Sequence, residues 1–91
     1  MAERIATIAS RVGMHARPAA VFTEAARGTG LGITIAPQNR PADEAVDASS
    51  ILGLMSLGIQ HGDQVVLRAE GPDSDAALDA LVRILETDHD A

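Results

Sequence analysis

Apolar residues alternate with polar ones in some stretches of this chain and recur at helical spacing in others, and the changes of period predict its layout. Residues 5–9 read as a short strand, and Ser10-Arg11-Val12-Gly13 as the loop after it. The period then becomes helical. Ala19, Phe22 and Ala26 share one stripe, flanked by Ala16 and Thr23, until Gly28-Thr29-Gly30 ends the helix. Phe22, the only aromatic residue, is assigned to the core. Residues 31–35 alternate as a strand with Ile33 and Ile35 on one face, and the run Ala36-Pro37-Gln38-Asn39-Arg40-Pro41 is expected to break it. Residues 42–47 read as a return strand with Val46 inward, against an acidic content that disfavours strands.

Residues 50–57 predict a short helix that is apolar around more than one face, through Ile51, Leu52, Leu54, Met55 and Leu57. A surface helix needs only one apolar face. With Leu54 and Leu57 turned to the sheet, Ile51, Leu52 and Met55 form an exposed patch of the kind that marks protein docking, its profile kept low by Gly53 and Gly58. Gln60-His61-Gly62 turns the chain into a strand over residues 63–70, with Val65, Leu67 and Ala69 inward. After Gly71-Pro72, Asp73 or Ser74 caps a last helix that has Asp75 in its first turn and buries Ala77, Leu78, Leu81, Val82 and Leu85. Residues 88–91 are expected to fray. The order βαββαβα predicts an α+β sandwich, with helices on one face of an antiparallel sheet.

The chemistry concentrates in Gly13-Met14-His15-Ala16-Arg17-Pro18-Ala19. Gly13 permits a tight turn, Pro18 suits a helix's first turn, and the alanines beyond propagate the helix. His15 is therefore expected at or next to the N-cap. The backbone N–H groups of Ala16 and Arg17, the positive end of the helix dipole and the Arg17 guanidinium all favour an anion there, and the chemistry points to a phosphoryl group. A cationic neighbourhood disfavours imidazolium, which leaves His15 neutral and nucleophilic. The chain has no lysine and no Gly-rich loop followed by Lys-Ser/Thr, so the phosphoryl group must come from another protein rather than from a bound nucleotide. That pattern describes a carrier, not a kinase.

This signature closely resembles the active site of the HPr family, histidine phosphocarriers of the bacterial phosphoenolpyruvate-dependent sugar phosphotransferase system. A second stretch agrees with it: Ser50-Ile51-Leu52-Gly53-Leu54-Met55-Ser56-Leu57-Gly58 is similar to the family's regulatory-serine helix. The resemblance covers nearly the whole chain as a single HPr-like domain over residues 1–91. It implies an open-faced sandwich in which three helices cover one side of a four-stranded antiparallel sheet. It also implies that His15 accepts a phosphoryl group on Nδ1 from phosphorylated enzyme I and passes it to enzyme IIA proteins of sugar permeases, with Arg17 as the accompanying arginine. No cofactor is implied, and the protein would act as a stoichiometric carrier rather than an enzyme on a small molecule. The alternative is a regulatory paralogue that works mainly by docking through Ile51, Leu52 and Met55, as nitrogen-related relatives of HPr are thought to do.

Two departures from the family pattern stand out. The segment between Ile35 and Ser50 looks about four residues longer than usual, which a surface loop tolerates. Ser49 precedes Ser50 where many relatives carry a basic residue, and Glu44 and Asp47 nearby are acidic. Ser50 thus has two readings, a target of a serine kinase or simply the N-cap of its helix, with the cap preferred and Ser49 an alternative cap.

Composition limits the remaining possibilities. A chain of 91 residues that is 46% apolar can fold around one core, and without cysteine it has no disulfide, thiolate metal site or cysteine nucleophile. A net charge of −6 with seven scattered arginines argues against nucleic acid. Arg4, Arg11, Arg17 and Arg27 are expected to form a relatively basic neighbourhood that meets acidic partners. His61 falls in a polar turn and His89 in the tail, with no metal-ligand spacing around either, so no metal is assigned. The N-terminus lacks signal-peptide features and no run approaches a membrane span, which predicts a cytoplasmic, monomeric protein without membrane insertion.

Overall fold

The computed structural model describes residues 2–11, 13–14 and 16–87. Its elements run β1 (Ala2–Thr7), α1 (Ala16–Gly28), β2 (Ile33–Pro37), a 3-10 turn (Ala42–Glu44), β3 (Val46–Asp47), α2 (Ile51–Ser56), β4 (Gln64–Ala69) and α3 (Ser74–Leu85). The order is βαββαβα, as the periodicity predicts. The strands form one sheet in the order β1-β4-β2-β3, with every pairing antiparallel.

Register assigns each side chain to a face, because successive residues of a strand point to opposite sides. Ala2 and Ala6 of β1, Val65, Leu67 and Ala69 of β4, and Ile33 and Ile35 of β2 lie in aligned rows and are buried. With them pack Ala19, Phe22 and Ala26 of α1, Leu54 of α2, and Leu78, Leu81 and Leu85 of α3. All three helices therefore cover this face. The other face carries Glu3, Ile5 and Thr7, Gln64 and Arg68, and Thr34, together with the buried Val66 and Ala36, and one of its ion pairs joins Arg68 to Glu3 at 2.7 Å. Arg4 points to the helix side and bridges to Asp75 and Asp79 of α3 at 3.0 and 2.9 Å, fastening the edge strand to the last helix.

Several boundaries differ from the sequence expectations. β1 starts three residues earlier than expected and ends at Thr7, because all six residues of β4 find partners in it. Its Ile5 is half-exposed on the open face, whereas Ile8, just past the strand, is buried. β2 runs on through Pro37 instead of breaking at Ala36. Gln38 donates its N–H to Gln64 of β4, so alternation turns the Pro37 nitrogen toward β3, whose pairing stops at Thr34 and Ile35. Proline there forfeits no ladder bond. The expected return strand over 42–47 shrinks to Val46 and Asp47, and the acidic Asp43 and Glu44 go into the 3-10 turn.

Asp73 occupies the N-cap position of α3 at φ 65° but makes no capping hydrogen bond with its side chain, contrary to expectation. A left-handed residue does not aim its carboxylate as an extended cap does. The basic neighbourhood is also dispersed: Arg4 belongs to α3's acids, and Arg27, in the last turn of α1, donates to the Ser49 carbonyl at 3.2 Å.

Candidate functional site

Two loops meet where α1 begins. Beyond β1, Ile8 donates its N–H to the Asp63 carbonyl and accepts from Gly62, both at 2.9 Å, while Ala9 donates to Leu85. A turn closed by Gly13 N–H to the Ser10 carbonyl at 3.0 Å then swings the chain toward the helix. Gly13 has φ +67°, and a Cβ there would lie 2.5 Å from the Ile59 carbonyl oxygen and 2.9 Å from Gln60 Cα. Only glycine fits such a left-handed residue pressed against backbone. Met14, buried, donates its N–H to Ile59 at 3.1 Å.

α1 starts two residues later, at Ala16. His15 stands between that anchored methionine and the helix in sequence, and with Val12 and His89 it lies outside the described residues. Arg17, the second residue of α1, is exposed, and Pro18, the third, is buried. N–H groups in a helix's first turn have no carbonyl within the helix to meet, so Pro18 forfeits nothing there. The first turn of α1 contains no acidic residue of its own. Ala16 and Arg17 are the first two residues of that turn.

The second predicted feature is the apolar surface of α2. Leu54 is fully buried and Leu57 nearly so, while Ile51, Leu52 and Met55 are 37%, 80% and 42% exposed. The two helices run in opposite directions: the last turn of α1 reaches Ser49 ahead of α2, and Ile59 beyond α2 holds Met14 ahead of α1. Met55 therefore lies toward the end of α2 that leads to the histidine loop.

Ser50 is at the other end. It is the N-cap of α2, its Oγ accepting the Gly53 N–H at 3.1 Å, and Ser49 does not share that role. Ser49 instead donates both its N–H and its hydroxyl to Asp47 Oδ1, at 2.9 and 2.7 Å, which holds the Asp47 carboxyl below its ordinary pKa. The structure brings Gly13, Met14, Ala16 and Arg17 together in sequence and space. Ser50 lies at the opposite end of α2 from Ile59, whose carbonyl holds Met14.

The sequence matches the family model described as PTS HPr component phosphorylation site over residues 2–87. The chain belongs to the HPr family of phosphocarriers. It is 38% identical to phosphocarrier protein HPr of Streptomyces coelicolor over 85 residues, covering 93% of this chain and 88% of that one. Its identity to phosphocarrier protein HPr of Haloferax volcanii is 41% over 85 residues, covering 93% of each. Among solved structures, HPr-C-His from Thermoanaerobacter tengcongensis superposes with a TM-score of 0.83 at 41% identity, covering 94% of this chain and 92% of that one.

Within this HPr fold some contributors escape a sequence reading. Gln60 reads as a turn residue and Asp63 as the start of the strand that begins at Gln64, yet Gln60 N–H meets Asp63 Oδ2 at 2.8 Å and Asp63 N–H meets the Gln60 carbonyl at 3.1 Å. Ser10, in the loop itself, is buried with its hydroxyl unpartnered among the described residues. His61 is exposed in its turn. Among the described residues no group of His, Asp and Glu could hold a metal, and no helix is long and apolar enough to cross a membrane.

Proposed function

We propose that His15 is the phosphoryl acceptor of this HPr-family chain, charged by phosphorylated enzyme I and discharged to enzyme IIA proteins of sugar permeases in the cytoplasm. The observation that carries this reading is the braced start of α1, whose first two residues, Ala16 and Arg17, follow His15 directly. In the forward step an imidazole nitrogen lone pair forms a bond to phosphorus as the bond from phosphorus to enzyme I breaks, and the acceptor site runs the reverse exchange with enzyme IIA. The equatorial oxygens carry the charge, and first-turn N–H groups and the Arg17 guanidinium stabilise it. Little covalent work falls to the protein beyond alignment. Ile51, Leu52 and Met55 supply the apolar part of the docking surface, and the protein is regenerated stoichiometrically as a monomer. Ser50 serves as a helix cap.

Incubation with enzyme I and labelled phosphoenolpyruvate tests this. One acid-labile phosphoryl group is expected, absent in His15→Ala and retained in His61→Ala and His89→Ala. Labelling of the His15→Ala protein would overturn the assignment. Arg17→Ala is expected to fold and to transfer much more slowly, since it removes charge-assisted contacts from an exposed position.

A further inference from the structure

The backbone that precedes His15 closes one turn of its own, through the Gly13 N–H and the Ser10 carbonyl, and is otherwise held from across the fold. The Met14 N–H goes to the Ile59 carbonyl at 3.1 Å, and Gly13 leans against the same carbonyl and against Gln60 Cα. The other end of the Ile59–Gln60 peptide is held by one carboxylate. Asp63 Oδ2 takes the Gln60 N–H at 2.8 Å while Asp63's own N–H returns to the Gln60 carbonyl at 3.1 Å, with Gly62 at φ +85° closing the turn. The Gln60 N–H belongs to the same peptide unit as the Ile59 carbonyl. Asp63 thus holds one end of a planar group whose other end holds Met14. The same turn is tied to the end of β1 through Ile8 on both sides, so it has a fixed base.

We infer that Asp63 is a positioning residue for phosphotransfer: its carboxylate orients the Ile59–Gln60 peptide, and that peptide fixes Met14, the residue before His15. This rests on His15 being the acceptor. Asp63 is exposed and needs no contact with the phosphoryl group. Its effect passes through backbone hydrogen bonds, so it depends on an acceptor atom at that place rather than on negative charge. In-line transfer is sensitive to small displacements, and a loosened loop lowers the fraction of aligned encounters without weakening the docking surface on α2.

Three variants separate acceptor from charge. Asp63→Ala removes both, Asp63→Asn keeps an acceptor without charge, and Asp63→Glu keeps charge on a side chain too long for the tight turn. The measurements are phosphotransfer from enzyme I as a function of carrier concentration, and amide exchange at Met14. Asp63→Ala and Asp63→Glu are expected to lower the maximal rate on the order of tenfold, leave the half-saturating concentration within about twofold, and speed Met14 exchange. Asp63→Asn is expected to restore both readouts. Wild-type rate and wild-type Met14 exchange in Asp63→Ala would overturn the inference, as would failure of Asp63→Asn to rescue while Asp63→Glu does. Should Asp63→Ala not fold, the Asn and Glu pair decides it alone. If the wild-type protein takes no label from enzyme I, the reading of His15 fails instead, and Met14 exchange still reports on the clasp.

Discussion

α2 and α3 are both rich in large apolar residues and use them in opposite ways. In α3, Leu78, Leu81 and Leu85 are all buried against the sheet and α1, and the outer face is polar enough to hold Arg4 through Asp75 and Asp79. α2 is half as long and buries Leu54 alone among its own six residues. It leaves Ile51, Leu52 and Met55 in solvent. Their starts differ too: Ser50 caps α2 with its side chain, whereas α3 begins after a left-handed Asp73 that does not. Apolar content alone does not locate a core. A short helix has too few turns to hide leucines on every side, so what it cannot bury is available to a partner.

The largest effect that would break this contrast lies in the leucines. Leu78→Ala is expected to lower stability by about 2–5 kcal/mol in urea unfolding, because it opens a cavity in a fully packed site. Leu52→Asp is expected to leave the melting temperature nearly unchanged and to weaken binding to enzyme I by more than about 1 kcal/mol. If Leu52→Asp unfolds the protein, α2 is a core helix like α3 and the comparison fails.

A smaller effect sharpens the contrast at the caps. Ser50→Ala is expected to cost about 1 kcal/mol, since the Gly53 N–H loses its acceptor. Asp73→Gly is expected to be close to neutral, because the side chain caps nothing and glycine accepts φ 65° without strain, at some loss of entropy. Thermal unfolding of the two variants side by side checks both.

Most of the architecture was legible because the core residues keep strict periods. Ala19, Phe22 and Ala26, the three α3 leucines, and Val65, Leu67 and Ala69 each fall on the face that periodicity assigns them. The two sides of α2 were legible for the same reason. What the sequence could not disclose depends on partners distant in the chain. Whether Pro37 ends a strand depends on where β3 stops, and whether Arg4 stands near Arg17 depends on α3. In the candidate site, Gly13 and Arg17 announced themselves by type and spacing. Asp63 did not, since a carboxylate in a turn becomes a clasp only once Ile59 is known to carry Met14.

The smallest expected effect concerns the approach to α2. Hydrogen bonds from Ser49 lower the Asp47 carboxyl from its ordinary value, so its contribution to stability is present above the unfolded pKa and is lost as pH falls through the lowered folded one. Asp47 is almost fully solvated, and the effect is correspondingly slight. Comparing acid unfolding of the wild type with Asp47→Asn isolates it: the variant is expected to lose a shallow part of the acid limb. An unchanged limb would leave Ser49 and Asp47 without energetic weight.

The strand order also sets a timetable. β4 lies between β1 and β2 and bonds to both, so Ala2 at one end of the chain and Ile33 in its middle face the same residue, Ala69. During synthesis the first two strands have no shared template until residues 64–69 have been made, and only β2 and β3 pair as a local hairpin. Closing those long loops is an entropic cost that no earlier contact offsets. The strand that completes the sheet is the one translated last, and the loop ahead of α1, tied to residues just before that strand, acquires its shape only after residues 59–63 have followed it off the ribosome.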